Sequence, residues 1–177
     1  MEKRISQEKR PEGLLIKIKA YKDDSKQSIL TIWMVAWTLC GLAIISQIFY
    51  EQDEKMKTMI LVFASFWGYF EYIVVKAFRW RRKGEEQILI SEDKIHIGRT
   101  ISNRGFLKPY RKDLMNKVRL IEKEENSFIK LFGDSYWVIG GQTLALPVNG
   151  KVLYFGLRLS DKEANHLMKI INKELPD

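Results

Sequence analysis

Two long apolar runs dominate the pattern of hydrophobic and polar positions. Residues 28–50, SILTIWMVAWTLCGLAIISQIFY, are twenty-three positions without a charge, and residues 58–78, TMILVFASFWGYFEYIVVKAF, form a second run interrupted only by Glu71 and Lys76. At about 1.5 Å of rise per residue the first run makes about 34 Å of helix, enough for a hydrocarbon core of about 30 Å. Backbone groups in lipid find no water, so both runs are expected to be helical despite their β-branched and aromatic residues. The link, residues 51–57, is too short to hold a domain. The two runs are therefore expected to form a transmembrane hairpin, spans 28–50 and 58–78, whose ends leave on the same side. A pair of buried core helices in a soluble protein is the competing reading, but both runs exceed the usual length of such helices.

The flanking patterns are different. Residues 1–12 are polar, contain Pro11 and read as mobile. Residues 14–21, LLIKIKAY, alternate apolar and basic positions, as a half-buried strand or an interfacial segment does. After Lys83 short strands take over. Residues 87–90 and 94–99 read as a hairpin through Ser91, Glu92 and Asp93, while 100–115, with Gly105 and Pro109, reads as irregular. Residues 117–123 alternate, with Val118 and Leu120 on one face; 127–132, 136–139, 143–148 and 151–157 follow, the last two joined by Asn149-Gly150, a strong two-residue hairpin signal. About seven strands in roughly seventy residues predict a small antiparallel barrel or sandwich. Ser160-Asp161-Lys162-Glu163 then forms a capping box, followed by Ala164, Leu167, Met168, Ile171 and Leu175 on one helical face and by Pro176.

Charge adds an orientation. The net charge of +8 is uneven: residues 1–83 hold 15 basic against 9 acidic side chains, residues 84–177 hold 15 against 13. Lys and Arg are retained in the cytoplasm during insertion. Eight lie in residues 1–27 and five more (Lys76, Arg79, Arg81, Arg82, Lys83) at the exit of the second run, whereas the link holds only Lys55 and Lys57. Both termini are thus expected to be cytoplasmic, in a multi-pass protein of the cytoplasmic (inner) membrane. Tyr50, Phe78 and Trp80 fit the aromatic belts at the membrane interfaces; Trp33, Trp37 and Trp67 lie deeper and point to helix packing. The basic excess beside the apolar runs implies a bilayer with anionic head groups as partner. Nucleic acid is not expected, for that would call for a basic face on the folded domain. Arg79, Arg81, Arg82 and Lys83, with Arg104, Lys108, Arg111 and Lys112, form the candidate anionic-lipid collar.

Candidate chemistry is sparse. Cys40 is the sole cysteine and sits inside the first run, and the two histidines, His96 and His166, read as edge or surface residues, so neither a disulfide framework nor a His/Cys metal site is expected. No phosphate-binding Gly-rich loop, Gly-x-Ser-x-Gly elbow or HExxH pattern occurs. Gly140-Gly141-Gln142 matches the catalytic tripeptide of peptide release factors, but between two predicted strands it reads as a turn. No catalytic residue and no cofactor is expected. Glu71 stands out: an intramembrane carboxylate is costly unless neutral, hydrated or paired, so it should face away from lipid, and nearby Gly68 would permit close approach of another helix. A subunit contact, a protonated hydrogen bond to the first span and an ion or proton site are its three open roles.

Residues 28–175 resemble bacterial membrane proteins that carry a two-helix hairpin followed by a pleckstrin-homology-like (PH-like) domain. The closing stretch KVLYFGLRLSDKEANHLMKIINKEL is similar to the ending of that group, an apolar strand, Phe-Gly, Leu-Ser and a Glu-Ala helix. The resemblance implies a membrane α-helical hairpin plus an α+β domain of six or seven antiparallel strands in a small barrel closed by one C-terminal helix. The divisions are then 1–27, a basic segment; 28–80, the hairpin; and 84–177, the PH-like domain. The expected function is a non-enzymatic, membrane-anchored interaction or scaffold protein that docks a protein partner, or itself as a homo-oligomer, at the cytoplasmic face. The alternative is a small subunit of a transporter or ion-translocating complex that uses Glu71.

Overall fold

The computed structural model describes residues 4–121 and 139–176. Its larger sheet runs β1 (Ile5–Arg10), β2 (Gly13–Lys19), β3 (Gly84–Ile90), β4 (Lys94–Ile101) and β5 (Arg104–Arg111), in that spatial order and antiparallel throughout. A smaller sheet consists of β6 (Arg119–Leu120), β7 (Gln142–Val148) and β8 (Lys151–Leu157). Two long helices, α1 (Asp24–Ser46, extended by a 3-10 turn at Gln47–Phe49) and α2 (Glu54–Lys83), stand between β2 and β3, and α3 (Asp161–Lys173) follows β8.

The alternation in residues 14–21 is that of a strand. Ile16 and Ile18 of β2 turn inward and Lys17 and Lys19 outward, so a period of two places one face in the core. β2 then pairs with β3 across the whole helical hairpin, Leu14 opposite Ile90 and Lys19 opposite Glu85, and the Ala20 N–H donates to Gly84 O at 2.9 Å. The hairpin is therefore an insertion in a sheet, occupying the place of a turn between two paired strands. A division at residue 84 cuts through this ladder, since residues 5–19 supply two of its five strands. The expectation of a mobile segment 1–12 fails for Ile5–Arg10, which pair with β2 from Ile5–Ile18 to Arg10–Gly13.

Residues 100–115, expected to be irregular, hold the end of β4 and all of β5. The turn between them is made by Ser102 and Asn103, both at positive φ (53° and 61°), the geometry of a two-residue hairpin loop that Asn tolerates. Pro109 is acceptable there because β5 is paired, among the described residues, on one side only. Val118 is buried but Leu120 is exposed; the expected strand 127–132 and all but the last residue of the expected strand 136–139 lie outside the described residues. Asn149 and Gly150 take positive φ in the β7–β8 turn as anticipated.

One core fills the space between the two sheets and α3. Ile16, Ile18, Ile88, Ile90 and Ile95 come from the larger sheet, Leu144, Leu146 and Phe155 from the smaller, and Ala164, Leu167, Ile171 and Leu175 from the C-terminal segment. The capping box forms: the Glu163 N–H donates to Ser160 Oγ at 3.3 Å and the Ser160 N–H to Glu163 Oε2 at 2.9 Å. The described strands divide into two sheets and close no barrel, which corrects that expectation. Among the described residues no ladder joins β1 or β5 to the smaller sheet, so neither edge of the larger sheet is closed.

α1 and α2 are long and apolar enough to cross a membrane. They pack through close contacts in antiparallel register. Trp67 covers Gly41 so tightly that a Cβ there would lie 2.0 Å from the indole, and Trp67 Nε1 donates to Trp37 O at 3.3 Å. Trp33 and Trp37 stack with centroids 5.2 Å apart. Lower down, Leu30 and Val74 form a small buried cluster with Tyr21, Met34 and Phe78. Trp80 is not an interfacial anchor: it is 2% exposed, its ring filling the space left by the missing Cβ of Gly84 where α2 runs directly into β3.

Candidate functional site

At the foot of the helical hairpin lies a cleft of about 1480 Å³, walled by the segment after β2, the last turn of α2 and the first turns of α3. The sequence brings cations to it from three places. Arg4, Lys19 and Lys22 come from the N-terminal segment, Arg81, Arg82 and Lys83 from α2, and Lys162 with His166 from α3. Three carboxylates, Asp24, Glu85 and Glu163, face these seven Lys and Arg side chains. The local excess is thus four positive charges.

Internal pairing uses part of that excess. Lys22 Nζ meets Asp24 Oδ1 at 2.6 Å, and Arg4 Nη1 lies 3.5 Å from Glu163 Oε2. Arg4 is mainly a structural tie: it donates to Arg158 O at 2.8 Å and Leu157 O at 3.1 Å, and its guanidinium stands 5.6 Å from the Tyr21 ring centroid. Burial pulls the Arg4 guanidinium below its ordinary value, opposed by the nearby Glu163 carboxylate. Arg81, 3% exposed, turns inward and donates to Tyr21 O at 3.4 Å. Arg82, Lys83 and Lys162 are exposed and, among the described residues, have no carboxylate within ion-pair distance.

The walls are held by one buried carboxylate. Glu86 on β3, 2% exposed, accepts from the backbone N–H groups of Gly156 and Leu157 at 2.8 Å each and from Arg99 Nε at 3.1 Å. It therefore ties the larger sheet to β8, beside the carbonyls that Arg4 holds. A carboxylate accepting backbone amides in a buried site is a strong, directional link.

The proposed collar is divided by this geometry. Arg81, Arg82 and Lys83 line the cleft, and Arg79 is exposed one turn up α2. Arg104 stays near them, because the Ser102 N–H donates to Lys83 O at 3.0 Å and so seats the β4–β5 turn against the end of α2. Lys108 is halfway along β5, opposite Ile97. Arg111, opposite Lys94, and Lys112 sit at the far end of the sheet, about 23 Å from Arg104 at about 3.3 Å per residue. There Arg111 pairs with Asp113 at 2.6 Å, in a cleft of about 750 Å³ lined by charges of both signs.

Compared with known protein families, curated proteins and solved structures, the chain matches none.

Glu71 and Gly68 take different roles. Glu71 faces α1, where the Thr38 hydroxyl lies 2.7 Å from Glu71 Oε1 and 2.7 Å from Met34 O. Gly68 meets nothing: a Cβ there would enter open space. The close approach of the two helices falls at Gly41 instead. Among the described residues no group of three or more His, Cys, Asp or Glu side chains is placed to hold a metal ion. His96 sits mid-strand on β4, and Gly141, at φ 81°, turns the chain into β7.

Sequence reasoning missed Arg4, Lys19, Lys22 and Lys162 as neighbours of the α2 exit. The lysines of LLIKIKAY were visible as an outward stripe, but only the β2–β3 pairing carries that stripe to residues 81–83. Nothing local marks Lys162, whose position follows from how α3 covers the core.

Proposed function

We propose that this chain is an integral protein of the cytoplasmic membrane, with both termini cytoplasmic, whose PH-like domain docks a protein partner or a second copy at the inner face. The observation that carries this reading is the insertion of the helical hairpin between β2 and β3. Both helices join the sheet through short connections: α2 runs from Lys83 straight into Gly84, and only four residues, 20–23, separate β2 from α1. A module held in this way presents one fixed face to whatever approaches along the membrane.

The surface of the hairpin supports a lipid environment. Ile29, Ile32, Val35, Leu39 and Leu42 on α1, and Met59, Leu61, Val62, Phe66 and Phe70 on α2, are all at least half exposed. An apolar surface of that extent is untenable in water. Phe106, 74% exposed on β5 between Arg104 and Lys108, supplies an aromatic contact point on the domain itself. A transporter subunit that uses Glu71 is the weaker reading. The carboxyl is engaged by Thr38 within its own hairpin, and among the described residues it belongs to no group of three or more His, Cys, Asp or Glu side chains placed to hold a metal ion.

Two measurements test the proposal. In a Cys40→Ser background, Asp53→Cys should be labelled by an impermeant maleimide in intact cells and Gly150→Cys only after lysis. Labelling in the reverse order, or release of the protein by alkaline carbonate, refutes the membrane reading. A photo-reactive residue at position 106 should then give a discrete cross-linked species in membranes. A probe there that yields only the uncross-linked chain, while the protein remains integral, removes the docking role at this surface.

A further inference from the structure

We infer that the cleft at the foot of the hairpin is a binding site for the phosphate head group of an anionic phospholipid. The inference deepens the proposed function and rests on its membrane reading. Position comes first. The cleft is walled by Tyr21 and Asp24, at the start of α1, and by Arg81, Arg82 and Lys83, at the end of α2. Those are the residues at which an apolar hairpin leaves the hydrocarbon, so the cleft opens at head-group depth. Its size fits the same occupant. At about 1480 Å³ it exceeds the roughly 300–1,000 Å³ of pockets that enclose a small molecule, and a trough of that kind suits a head group whose chains stay in the bilayer beside it.

Charge sets the ligand class. Three exposed cations, Arg82, Lys83 and Lys162, line the cleft from α2 and α3 without a carboxylate partner among the described residues, the Arg82 guanidinium 5.5 Å from the Phe78 ring centroid, beside a wall stiffened by the inward-turned Arg81. Guanidinium and ammonium groups together match a phosphodiester, which carries one full charge and several acceptor oxygens. The Lys22–Asp24 and Arg4–Glu163 pairs flank these cations and leave them available. Lys162 is the informative member. It lies about eighty residues after the helices, so it cannot act through insertion topology, and only folding brings it to the site.

The test uses the full chain in nanodiscs of phosphatidylcholine containing a minor fraction of phosphatidylglycerol. Native mass spectrometry reads the ratio of the two lipids retained on the released protein. Lys162→Gln should lower the retained phosphatidylglycerol ratio roughly fivefold, as should Arg82→Gln, in line with the contribution of one basic residue at a membrane surface. Lys112→Gln makes the same change in net charge at the far end of the sheet and should leave the ratio unchanged. Equal loss in Lys162→Gln and Lys112→Gln would reduce the effect to net charge and overturn the site, as would no loss in either. Glycerol 1-phosphate added to phosphatidylcholine nanodiscs should not raise thermal stability; a rise that Lys162→Gln abolishes would assign the cleft to a soluble phosphate compound instead of a lipid. Release by alkaline carbonate would defeat the membrane reading itself, whereas an integral protein without lipid preference defeats only this inference.

Discussion

Replacing Glu86 tests the tie between the two sheets. Its carboxylate is the acceptor for two backbone amides, Gly156 and Leu157, at 2.8 Å each, and Glu86 is 2% exposed. In Glu86→Ala both amides lose their partner in a buried place. Each orphaned donor costs about 1–3 kcal/mol, and the 40% exposed Arg99 side chain recovers hydration for most of its share. The expected loss is about 3–5 kcal/mol, a fall of roughly 6–20 °C in the melting temperature of a chain this size. Both amides reach the same oxygen, Oε2, while Arg99 Nε reaches Oε1, so Glu86→Gln can keep both amides on its carbonyl oxygen and turns its NH2 group toward the Arg99 side chain, and it should cost less than half as much. Hydrogen exchange localises the effect. Amides 156 and 157 should lose protection in Glu86→Ala and keep most of it in Glu86→Gln, whose carbonyl oxygen can replace Oε2. Unchanged protection at 156 and 157 together with an unchanged melting temperature in Glu86→Ala would refute the account of how the sheets are joined.

Three further outcomes are expected. Leu167 is fully buried on α3, and Leu167→Ala should destabilise the chain by about 2–5 kcal/mol, read by thermal unfolding in mild detergent; no loss would place α3 outside the core. Gly41→Val would push a side chain into Trp67, so cross-linking of paired cysteines across α1 and α2 should fall and the quenching of Trp67 fluorescence change; a variant indistinguishable in both measurements contradicts that packing. Glu71→Gln still offers an oxygen to the Thr38 hydroxyl and should be nearly neutral in a detergent-unfolding assay, whereas Glu71→Leu and Thr38→Val should each cost about 0.6–1.7 kcal/mol and be non-additive in combination. Additive losses would mean that the two side chains do not interact.

The sequence by itself determined what depends on neighbours along the chain. The two apolar helices follow from run length, the capping box and buried face of α3 from spacings of three and four, and the β7–β8 turn from Asn149-Gly150. Each is a local property, since a helix or a tight turn is specified by residues within one or two turns of each other. Glu71 was legible for the same reason, as a carboxyl in an apolar run that had to turn toward its partner helix, although its partner Thr38 was only one of several polar candidates. The tertiary structure decided the rest. A strand of seven residues has a polar and an apolar face but no mark of which edge it will join, so nothing in LLIKIKAY announced that it pairs with β3 across residues 20–83. That pairing becomes accessible because the packed hairpin, through Gly41 with Trp67 and Thr38 with Glu71, returns the chain to its starting point and lowers the entropy cost of closing so long a loop. The same long-range step splits the basic residues, carrying Lys19, Lys22 and Lys162 to the foot of the helices and leaving Arg111 and Lys112 at the opposite end of the sheet. Charge is counted along the chain, but a binding site is made by the distances between charges, and those exist only after the sheet has formed.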